Sequence, residues 1–213
     1  MKNYKHAPAL INSWLTSFYD PVMNMFGVGT LFQKKTLDIV TLQEGQKLLD
    51  IGCGTGTLVM LVKTKHPKAK VTGLDPDQHV LAIAKRKAER SNHAIDFIQA
   101  GAEKLPFASS SFDIITSSLA FHHLPTTIKK QALGEIYRVL KPTGQFLLVD
   151  IGKPKNLLWK ILLAIESIVE PKEYIKDNLE GKLPAFMIEA GFALKEVRKP
   201  YLSIQFLMGT KKS

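Results

Sequence analysis

The sequence predicts an α/β fold in which a doubly wound sheet of about seven strands is covered by helices on both faces. Three observations lead to this prediction. From residue 47 onward, short apolar runs alternate with segments of helical periodicity, which is the pattern of consecutive β-α units. A glycine-rich segment, residues 52–56, directly follows the first apolar run. The segment Lys141-Pro142-Thr143-Gly144 ends a later helical stretch with a stop-and-turn signal.

The predicted elements follow one another along the chain in the order that β-α units require. Residues 9–40 have the periodicity of N-terminal helices. The predicted strands are residues 47–51, 71–74, 95–99, 112–117, 145–151, 192–198 and 203–208. The predicted helices are residues 58–65, 76–91 with Pro76 near the first turn, 128–140, 157–169 and 183–190 with Gly191 following the C-cap. Right-handed crossovers would make the central strands parallel and place a ligand at their carboxyl ends.

Composition indicates a globular chain in a reducing compartment. The chain has 213 residues, of which 45% are hydrophobic, and one cysteine, which excludes an internal disulfide. No apolar run reaches the roughly 18 residues that a membrane-spanning helix needs. The first six residues, Met1 to His6, lack the apolar region of a signal peptide. We therefore expect a cytoplasmic location.

The net charge of +10 is compatible with an anionic partner such as nucleic acid or a membrane surface. The densest basic stretches are residues 63–70 and 85–87, which belong to predicted helices and their ends, where solvated charge is ordinary. They lack the interleaved aromatic residues that single-stranded nucleic-acid binders use. No nucleic-acid partner is expected, whereas peripheral contact with an anionic membrane is left open.

The glycines predict a strand-to-helix turn that approaches a ligand closely. Gly52, Gly54 and Gly56 form a G-x-G-x-G pattern, and Thr57 occupies the position where a dinucleotide fingerprint has its third glycine. Asp75 ends the second predicted strand, 19 residues after Gly56, where a carboxylate can accept ribose hydroxyl groups.

Asp50 adds a second carboxylate just before the glycines. Two carboxylates beside a pyrophosphate would be unfavourable, whereas they suit a ligand with a cationic amino group. The pattern favours an adenosyl amino acid over a dinucleotide. A tight turn without a ligand, and an NAD-linked enzyme, are the weaker alternatives.

A family resemblance is present in five motifs between residues 45 and 150. They are Asp50-Ile51-Gly52-Cys53-Gly54-Thr55-Gly56, Gly73-Leu74-Asp75-Pro76, residues 101–107 with Ser111-Phe112-Asp113, residues 119–124, and residues 138–144. Together they resemble the class I S-adenosylmethionine-dependent methyltransferases, most closely the type 11 set that includes ubiquinone and menaquinone biosynthesis methylases. The resemblance implies a Rossmann-like fold with an antiparallel last strand, and S-adenosylmethionine as cofactor, with S-adenosylhomocysteine as product.

The resemblance also implies a domain plan and cofactor contacts. It describes a single methyltransferase domain over residues 1–213, with a helical cap (1–45), a cofactor-binding core (46–151), a helical insertion or lid (152–185) and a C-terminal strand pair (186–213). The implied cofactor-binding residues are Asp50, Gly52, Cys53, Gly54, Gly56, Asp75, Pro76, Gly101, Ala102, Ser118 and Leu119. Gly101 departs from the family, since many relatives have Asp or Asn there, so contact with the adenine amino group would have to come from backbone or water.

The candidate catalytic residues are His122, His123 and Tyr19. The two histidines follow the fourth predicted strand, where an imidazole could act as general base or could merely shape the pocket. Tyr19 occupies the region where relatives often place an aromatic residue over the cofactor. No metal is expected, because adjacent histidines point to different sides of a helix and no carboxylate or cysteine cluster accompanies them. Cys53 could be a nucleophile, but a small turn residue is the favoured interpretation.

The acceptor is expected to be small and lipophilic or aromatic. The very apolar segment from Leu157 to Val169 suits a lid, a dimer contact or an interfacial helix, with a core-packed connection as the alternative. The chain is expected to be a monomer or a homodimer. The alternative functions are a non-catalytic cofactor-binding or partner subunit, and a methyltransferase that acts on RNA or protein.

Overall fold

The computed structural model describes residues 29–154, 172–201 and 203–212. The seven strands form one mixed sheet in the order β3-β2-β1-β4-β5-β7-β6. The chain divides into two compact units, residues 1–101 (unit 1) and residues 102–213 (unit 2). The predicted Rossmann-like sheet with an antiparallel last strand is confirmed. The predicted helices before residue 29, including Tyr19, and the apolar segment 157–169 lie outside the described residues.

The described part of unit 1 consists of three parallel strands and three helices. They are α1 (Thr30–Leu37), β1 (Lys47–Ile51), α2 (Thr57–Lys65), β2 (Lys70–Asp75), α3 (Gln78–Arg90) and β3 (Ile95–Gln99). Strand β2 lies between β1 and β3, with Asp50 opposite Gly73 and Asp75 opposite Gln99. The apolar runs from which β1 and β2 were predicted lie in the core, where Leu48, Leu49 and Leu74 are fully buried.

Helix α3 begins later than the sequence predicts. Pro76 lies outside the helix, and Asp77 is the N-cap, with its carboxylate accepting the backbone N–H of His79 at 2.7 Å. The side chain of Asp77 can satisfy an orphan N–H of the first turn, which proline at that position could not do. The predicted helix, residues 76–91, therefore starts two residues too early, and Pro76, predicted near the first turn, directly precedes the N-cap.

The residues of unit 2 that the structure describes contain the other four strands and three α-helices. In chain order they are β4 (Phe112–Ser118), a 3₁₀ turn (Phe121–His123), α4 (Thr126–Val139), β5 (Leu140–Ile151), α5 (Lys172–Leu179), α6 (Leu183–Glu189), β6 (Phe192–Tyr201) and β7 (Ile204–Lys211). Strand β5 is parallel to β4, and β7 is antiparallel to both β5 and β6. Phe121, Phe146, Phe192 and Phe206 are fully buried and form much of the core of this unit.

Strand β5 corrects the predicted turn at residues 141–144. The strand begins at Leu140, which pairs with Phe112, and the next pair joins Ile114 to Gln145, so residues 141–144 form a bulge inside the strand. A β carbon on Gly144 would meet the Asp113 carbonyl oxygen at 2.9 Å, which explains the glycine. The stop-and-turn signal marks a bulge, because Pro142 lacks the N–H that regular pairing requires.

Helix α5 is an element that the sequence did not predict. Its eight residues, from Lys172 to Leu179, are mostly polar and belong to the segment interpreted as an insertion. Helix α6 and Gly191 agree with the prediction, since Gly191 follows the C-cap with a φ of 103°. Across the described ranges, none of the helices has the length and hydropathy that crossing a bilayer requires.

Candidate functional site

The glycine bend (residues 52–56) connects β1 to α2 in unit 1. Gly52, Gly54 and Gly56 have φ values of 71°, 53° and 81°, a region that other residues rarely adopt. The bend is tied to the neighbouring strand, because the backbone N–H groups of Gly52 and Cys53 donate to the Leu74 carbonyl at 2.8 and 3.0 Å. The local reason for the glycines is therefore conformational.

Gly54 and Gly56 have different surroundings. A β carbon on Gly56 would meet the β carbon of Ala84 at 3.0 Å, so this glycine lets α3 pack closely. A β carbon on Gly54 would meet nothing within 4 Å. Open space beside a bare backbone at the carboxyl end of a strand is where this fold class binds ligands. Gly56 thus serves packing, whereas Gly54 faces open space.

Asp75 is held over the bend in a fixed orientation. Its Oδ2 accepts the backbone N–H of Gly54 at 2.9 Å, and its Oδ1 accepts the backbone N–H of Asp77 at 2.9 Å. The side chain is 8% exposed, and Asp50, on β1, is 2% exposed. The structure therefore brings together the bend and the carboxylate that the sequence predicted from spacing alone.

Cys53 lies buried inside the bend. Burial, together with the negative charges of Asp50 and Asp75, raises the pKa of the Cys53 thiol well above its ordinary value. A reactive cysteine needs the opposite environment, with a lowered pKa and an exposed thiolate. The raised pKa also shows that both carboxylates act electrostatically on this bend. The turn-residue interpretation of Cys53 agrees with this environment.

The remaining predicted cofactor residues lie at strand ends. In unit 1, Pro76 follows β2 and its carbonyl accepts Nε2 of Gln99 at 3.1 Å, while Gly101 is half-buried after β3. In unit 2, Ala102 is buried and Ser118 is the last residue of β4. The cofactor contacts of all these residues stay predictions.

Leu119 has an unusual backbone for its residue type. Its φ is 56°, and its backbone N–H donates to the Val149 carbonyl at 2.8 Å. Its side chain packs against a small apolar cluster of Ile151 and Ile175. A non-glycine residue in this region costs of the order of 1–3 kcal/mol, and such residues concentrate at functional sites.

The two predicted histidines lie in the 3₁₀ turn after β4, rather than at the start of α4. Their rings contact each other, with centroids 3.9 Å apart. His122 is 5% exposed, and its Nδ1 lies 2.8 Å from Oδ1 of Asp150, near the end of β5. The structure thus pairs one of the two candidate bases with a buried carboxylate.

Asp150 receives hydrogen bonds from several elements and is fully buried. Its Oδ2 accepts the backbone N–H groups of Ala120 and Phe121 at 3.1 and 2.7 Å. Its Oδ1 accepts the backbone N–H of Ile151 at 2.7 Å and the side-chain amide of Asn178, on α5, at 3.1 Å. We call His122, Asp150, Asn178 and these backbone donors the Asp150 network.

Asp150 is ionised in this environment. Burial by itself would raise the pKa of the carboxyl group, but the His122 imidazole and the backbone N–H groups of Phe121 and Ile151 outweigh it and lower the pKa. A buried carboxylate with several donors is stable only because each donor favours its charged form. The network therefore places a fixed negative charge beside His122.

A second buried ion pair connects α4 to α5. Nζ of Lys129 donates to the Tyr174 carbonyl and lies 3.6 Å from Oδ2 of Asp177, which also accepts the hydroxyl of Thr126 at 2.5 Å. Lys129 is fully buried, and burial lowers the pKa of its ammonium although Asp177 and Asp150 oppose that shift. Sequence analysis missed both networks, because their residues are dispersed between positions 122 and 178.

A weak signal for Asp150 was present in the sequence. It is a single acidic residue in the apolar run 146–151, where burial without a partner would be costly. Asn178 and Lys129 have no comparable signal, since each lies in an ordinary polar segment. Within the described ranges, no group of three or more His, Cys, Asp or Glu side chains is placed to hold a metal ion.

Comparisons with known proteins agree with this architecture. A family model described as a methyltransferase domain matches residues 48–144. The demethylmenaquinone methyltransferase of Thermus thermophilus is 35% identical over 188 residues, which are 80% of this chain and 84% of that protein. The demethylmenaquinone methyltransferase of Listeria monocytogenes is 33% identical over 137 residues, which are 63% of this chain and 57% of that protein.

Solved structures show the same fold. A methyltransferase from Aquifex aeolicus, described as dependent on S-adenosylmethionine, has a TM-score of 0.71 at 20% identity, covering 94% of this chain and 98% of that one. At this identity the structural similarity shows the fold alone. The family model and the Thermus relative match the sequence and therefore show the family. This chain therefore belongs to the class I S-adenosylmethionine-dependent methyltransferases and is an enzyme that uses S-adenosylmethionine as its cofactor.

Proposed function

We propose that this methyltransferase acts on a hydroxylated aromatic acceptor of the hydroquinone type. The observation that supports this proposal most is the 35% identity to a demethylmenaquinone methyltransferase across 84% of that relative's length. Such an acceptor is small, lipophilic and aromatic, as the sequence led us to expect. The expected contact with an anionic membrane and the oligomeric state stay predictions.

The residues of the glycine bend fit the cofactor. Gly54 offers backbone beside open space, and the Asp75 carboxylate is held in place by two backbone N–H groups. We propose that Asp75 accepts the ribose hydroxyl groups and that Asp50 attracts the amino group of the methionine part. Gly52, Cys53 and Gly56 would shape the bend, and Pro76 and Gly101 would lie against the adenine.

Two negative charges beside the bend favour a cationic ligand over a pyrophosphate. Asp50 lies opposite Gly73 in the pairing of β1 with β2, two residues before Asp75, so both carboxylates belong to the same end of these neighbouring strands. A sulfonium nucleoside has positive charges at its amino group and its sulfur, whereas a pyrophosphate would meet like charges. S-adenosylmethionine, when bound, supplies an activated methyl group.

The chain itself has to align the acceptor and accept a proton. Holding the acceptor carbon in line with the methyl group and keeping water out lowers the barrier without covalent catalysis by the protein. A hydroquinone also becomes a stronger carbon nucleophile when one hydroxyl loses its proton. His122, beside the ionised Asp150, is the described residue best suited to take that proton. His123 and Tyr19 stay weaker candidates.

The test has a binding arm and a transfer arm. In the binding arm, thermal stability is measured with S-adenosylmethionine, S-adenosylhomocysteine and NAD. We expect the first two to raise the midpoint and NAD to leave it unchanged. In the transfer arm, radiolabelled methyl transfer is measured in parallel to a demethylated naphthohydroquinone, its oxidised quinone, phospholipid head groups and tRNA.

The acceptor proposal predicts transfer to the hydroquinone and little transfer to the quinone, since only the reduced ring has an ionisable hydroxyl. Transfer to tRNA alone would refute the acceptor and leave the methyltransferase assignment in place. Transfer to phospholipid head groups alone would refute it in the same way.

A further inference from the structure

The hydrogen-bond pattern around Asp150 fixes the tautomer of His122. Oδ1 of Asp150 lies 2.8 Å from Nδ1 of His122 and also accepts the Ile151 N–H and the Asn178 amide, while Oδ2 accepts two further N–H groups, so the carboxyl group is an ionised acceptor. An ionised carboxylate only accepts hydrogen bonds, so Nδ1 must have the proton. Nε2 is then the unprotonated nitrogen of the neutral ring and the one that can accept a proton.

The orientation of the Asn178 amide is fixed by the same reasoning. Its Nδ2 donates both to Oδ1 of Asp150 at 3.1 Å and to the Ile151 carbonyl at 3.0 Å. Rotating the amide would place its oxygen against two acceptors, which is unfavourable. Asn178 therefore holds Asp150 from α5, while the backbone of Ala120 and Phe121 holds it from the turn that contains His122.

We infer that Asp150 and Asn178 are positioning residues, which hold His122 as the Nδ1–H tautomer so that Nε2 removes the hydroxyl proton of the acceptor. This inference rests on the proposed hydroquinone acceptor. The arrangement follows the logic by which a buried carboxylate orients a histidine base in hydrolases. Here the carboxylate lies on β5 and its amide partner on α5, so two elements far apart in sequence determine the state of one ring.

Methyl transfer to the hydroquinone conserves atoms and charge when His122 holds the hydroxyl proton. The acceptor O–H bond breaks, and its proton goes to Nε2 of His122. The ring carbon next to the resulting oxyanion forms a bond to the methyl group, while the methyl–sulfur bond breaks and its electron pair stays on sulfur. That carbon then loses its hydrogen to solvent as a proton, and the oxygen takes back the proton from His122. One proton is released per methyl group, and no oxidant or reductant is needed.

The first experiment reads the tautomer directly, without cofactor or acceptor. The histidine side chains are labelled with ¹⁵N, and the two-bond ¹H–¹⁵N correlations are recorded near pH 8, with the His122 signal identified by its absence in His122→Gln. We expect a protonated Nδ1 and an unprotonated Nε2. A His122 ring with its proton on Nε2 would overturn the inference, whatever the activity measurements show.

The second experiment changes the carboxylate by one atom. In Asp150→Asn, the NH₂ group must face either the N–H groups of Ala120 and Phe121 or the N–H of Ile151 together with Asn178 and His122, so neither orientation satisfies every donor. His122 loses its ionised acceptor at Nδ1, and the ring is no longer held in one tautomer and orientation. We expect kcat for the hydroquinone to fall about 100-fold or more, with KM changed by less than about threefold.

Asn178→Leu and Gln205→Leu are a matched pair of variants. Both side chains donate to the Ile151 carbonyl, and the Asn178 amide also donates to the Asp150 carboxylate, whereas Gln205 is the partner of Asp150 in the β5–β7 pairing. We expect Asn178→Leu to lower kcat about 10- to 100-fold through misplacement of the base, and Gln205→Leu to leave it nearly unchanged. Equal effects of the two variants would assign Asn178 a structural role and refute its part in positioning.

The outcomes separate this inference from the acceptor proposal. A wild-type enzyme that transfers no methyl group to the hydroquinone refutes the acceptor, and the NMR spectrum then decides the positioning of His122 alone. A wild-type enzyme that does transfer, together with an Asp150→Asn variant that is folded and fully active, refutes the inference and leaves the acceptor in place. Cofactor affinity, measured by calorimetry, should be unchanged in all these variants.

Discussion

The glycine bend of unit 1 and the Asp150 network of unit 2 are polar sites built in opposite ways. The bend is made mostly of backbone, and its residues are neighbours in sequence apart from Asp75. The network joins three side chains, which come from the 3₁₀ turn, β5 and α5, and it adds three backbone N–H groups around the buried carboxylate. Backbone conformation specifies the first site, whereas long-range packing of buried charge specifies the second.

This difference predicts where each unit is sensitive to mutation. A site specified by backbone conformation should respond to an added β carbon with a moderate loss from conformational strain. Substitutions in a buried polar network should be costly, because the loss of one side chain leaves another buried polar group without its hydrogen-bond or ion-pair partner. The three predictions that follow test this contrast, from the largest expected effect to the smallest.

The largest effect is expected for Lys129→Met in unit 2. Lys129 is fully buried, and its loss leaves Asp177 and the Tyr174 carbonyl without their buried cation. Breaking a buried ion pair by removing one partner costs about 3–5 kcal/mol. Urea denaturation should show a loss of stability of this size.

The adjacent lysine is the control for that variant. Lys130 pairs with Glu189 at the surface, where their side chains are 45% and 62% exposed. Exposed pairs contribute about 0–1 kcal/mol, so Lys130→Met should change the free energy of unfolding by less than that. If the two variants were equally stable, the buried network would not be what holds α5 to α4.

An intermediate effect is expected for Asp75→Ala in unit 1. Hydrogen bonds to a charged group contribute about 1.5–3 kcal/mol, so losing the carboxylate should weaken S-adenosylmethionine binding about 100-fold. Calorimetric titration measures this directly. Asp96→Ala, which removes the same charge from an exposed position on the neighbouring strand β3, should leave the affinity unchanged. Equal losses in the two variants would show that net charge alone attracts the cofactor.

The same contrast explains how much could be predicted from the sequence. The bounds of β1 and β3 agree with the prediction to the residue, because short apolar runs between turn signals have few alternative interpretations. The glycine bend and Asp75 were predictable because their spacing is local to one β-α-β unit. The predicted strand-to-helix turn is present, and all three glycines have positive φ values.

What the sequence could not predict depends on contacts across long separations. Asp150 and Asn178 are 28 residues apart, and His122 and Asp150 are also 28 apart. Helix α5 was missed because its eight residues are mostly polar, and the apolar face formed by Ile175 and Leu179 is too short a signal to predict a helix. The bulge at residues 141–144 was interpreted as a turn, since the same residue types favour both.

The smallest effects are expected within the glycine bend itself, where Gly56→Ala and Gly54→Ala separate packing from ligand binding. Both positions have positive φ, and an alanine there costs roughly 1–2 kcal/mol of conformational strain. The β carbon of alanine at 56 would also press against Ala84, whereas at 54 it would meet open space. Gly56→Ala should therefore lose about 2 kcal/mol of stability, and Gly54→Ala about 1 kcal/mol.

The ranking should reverse when cofactor affinity is measured on the folded variants. A methyl group at 54 would occupy the open space in which we propose the cofactor lies, so Gly54→Ala should bind S-adenosylmethionine more weakly than Gly56→Ala does. Denaturation and calorimetric titration on the same two proteins give both rankings. Suppose instead that Gly56→Ala lowered both the stability and the cofactor affinity more than Gly54→Ala does. The cofactor would then not bind in the space beside Gly54, and strand-to-helix geometry alone would explain the bend.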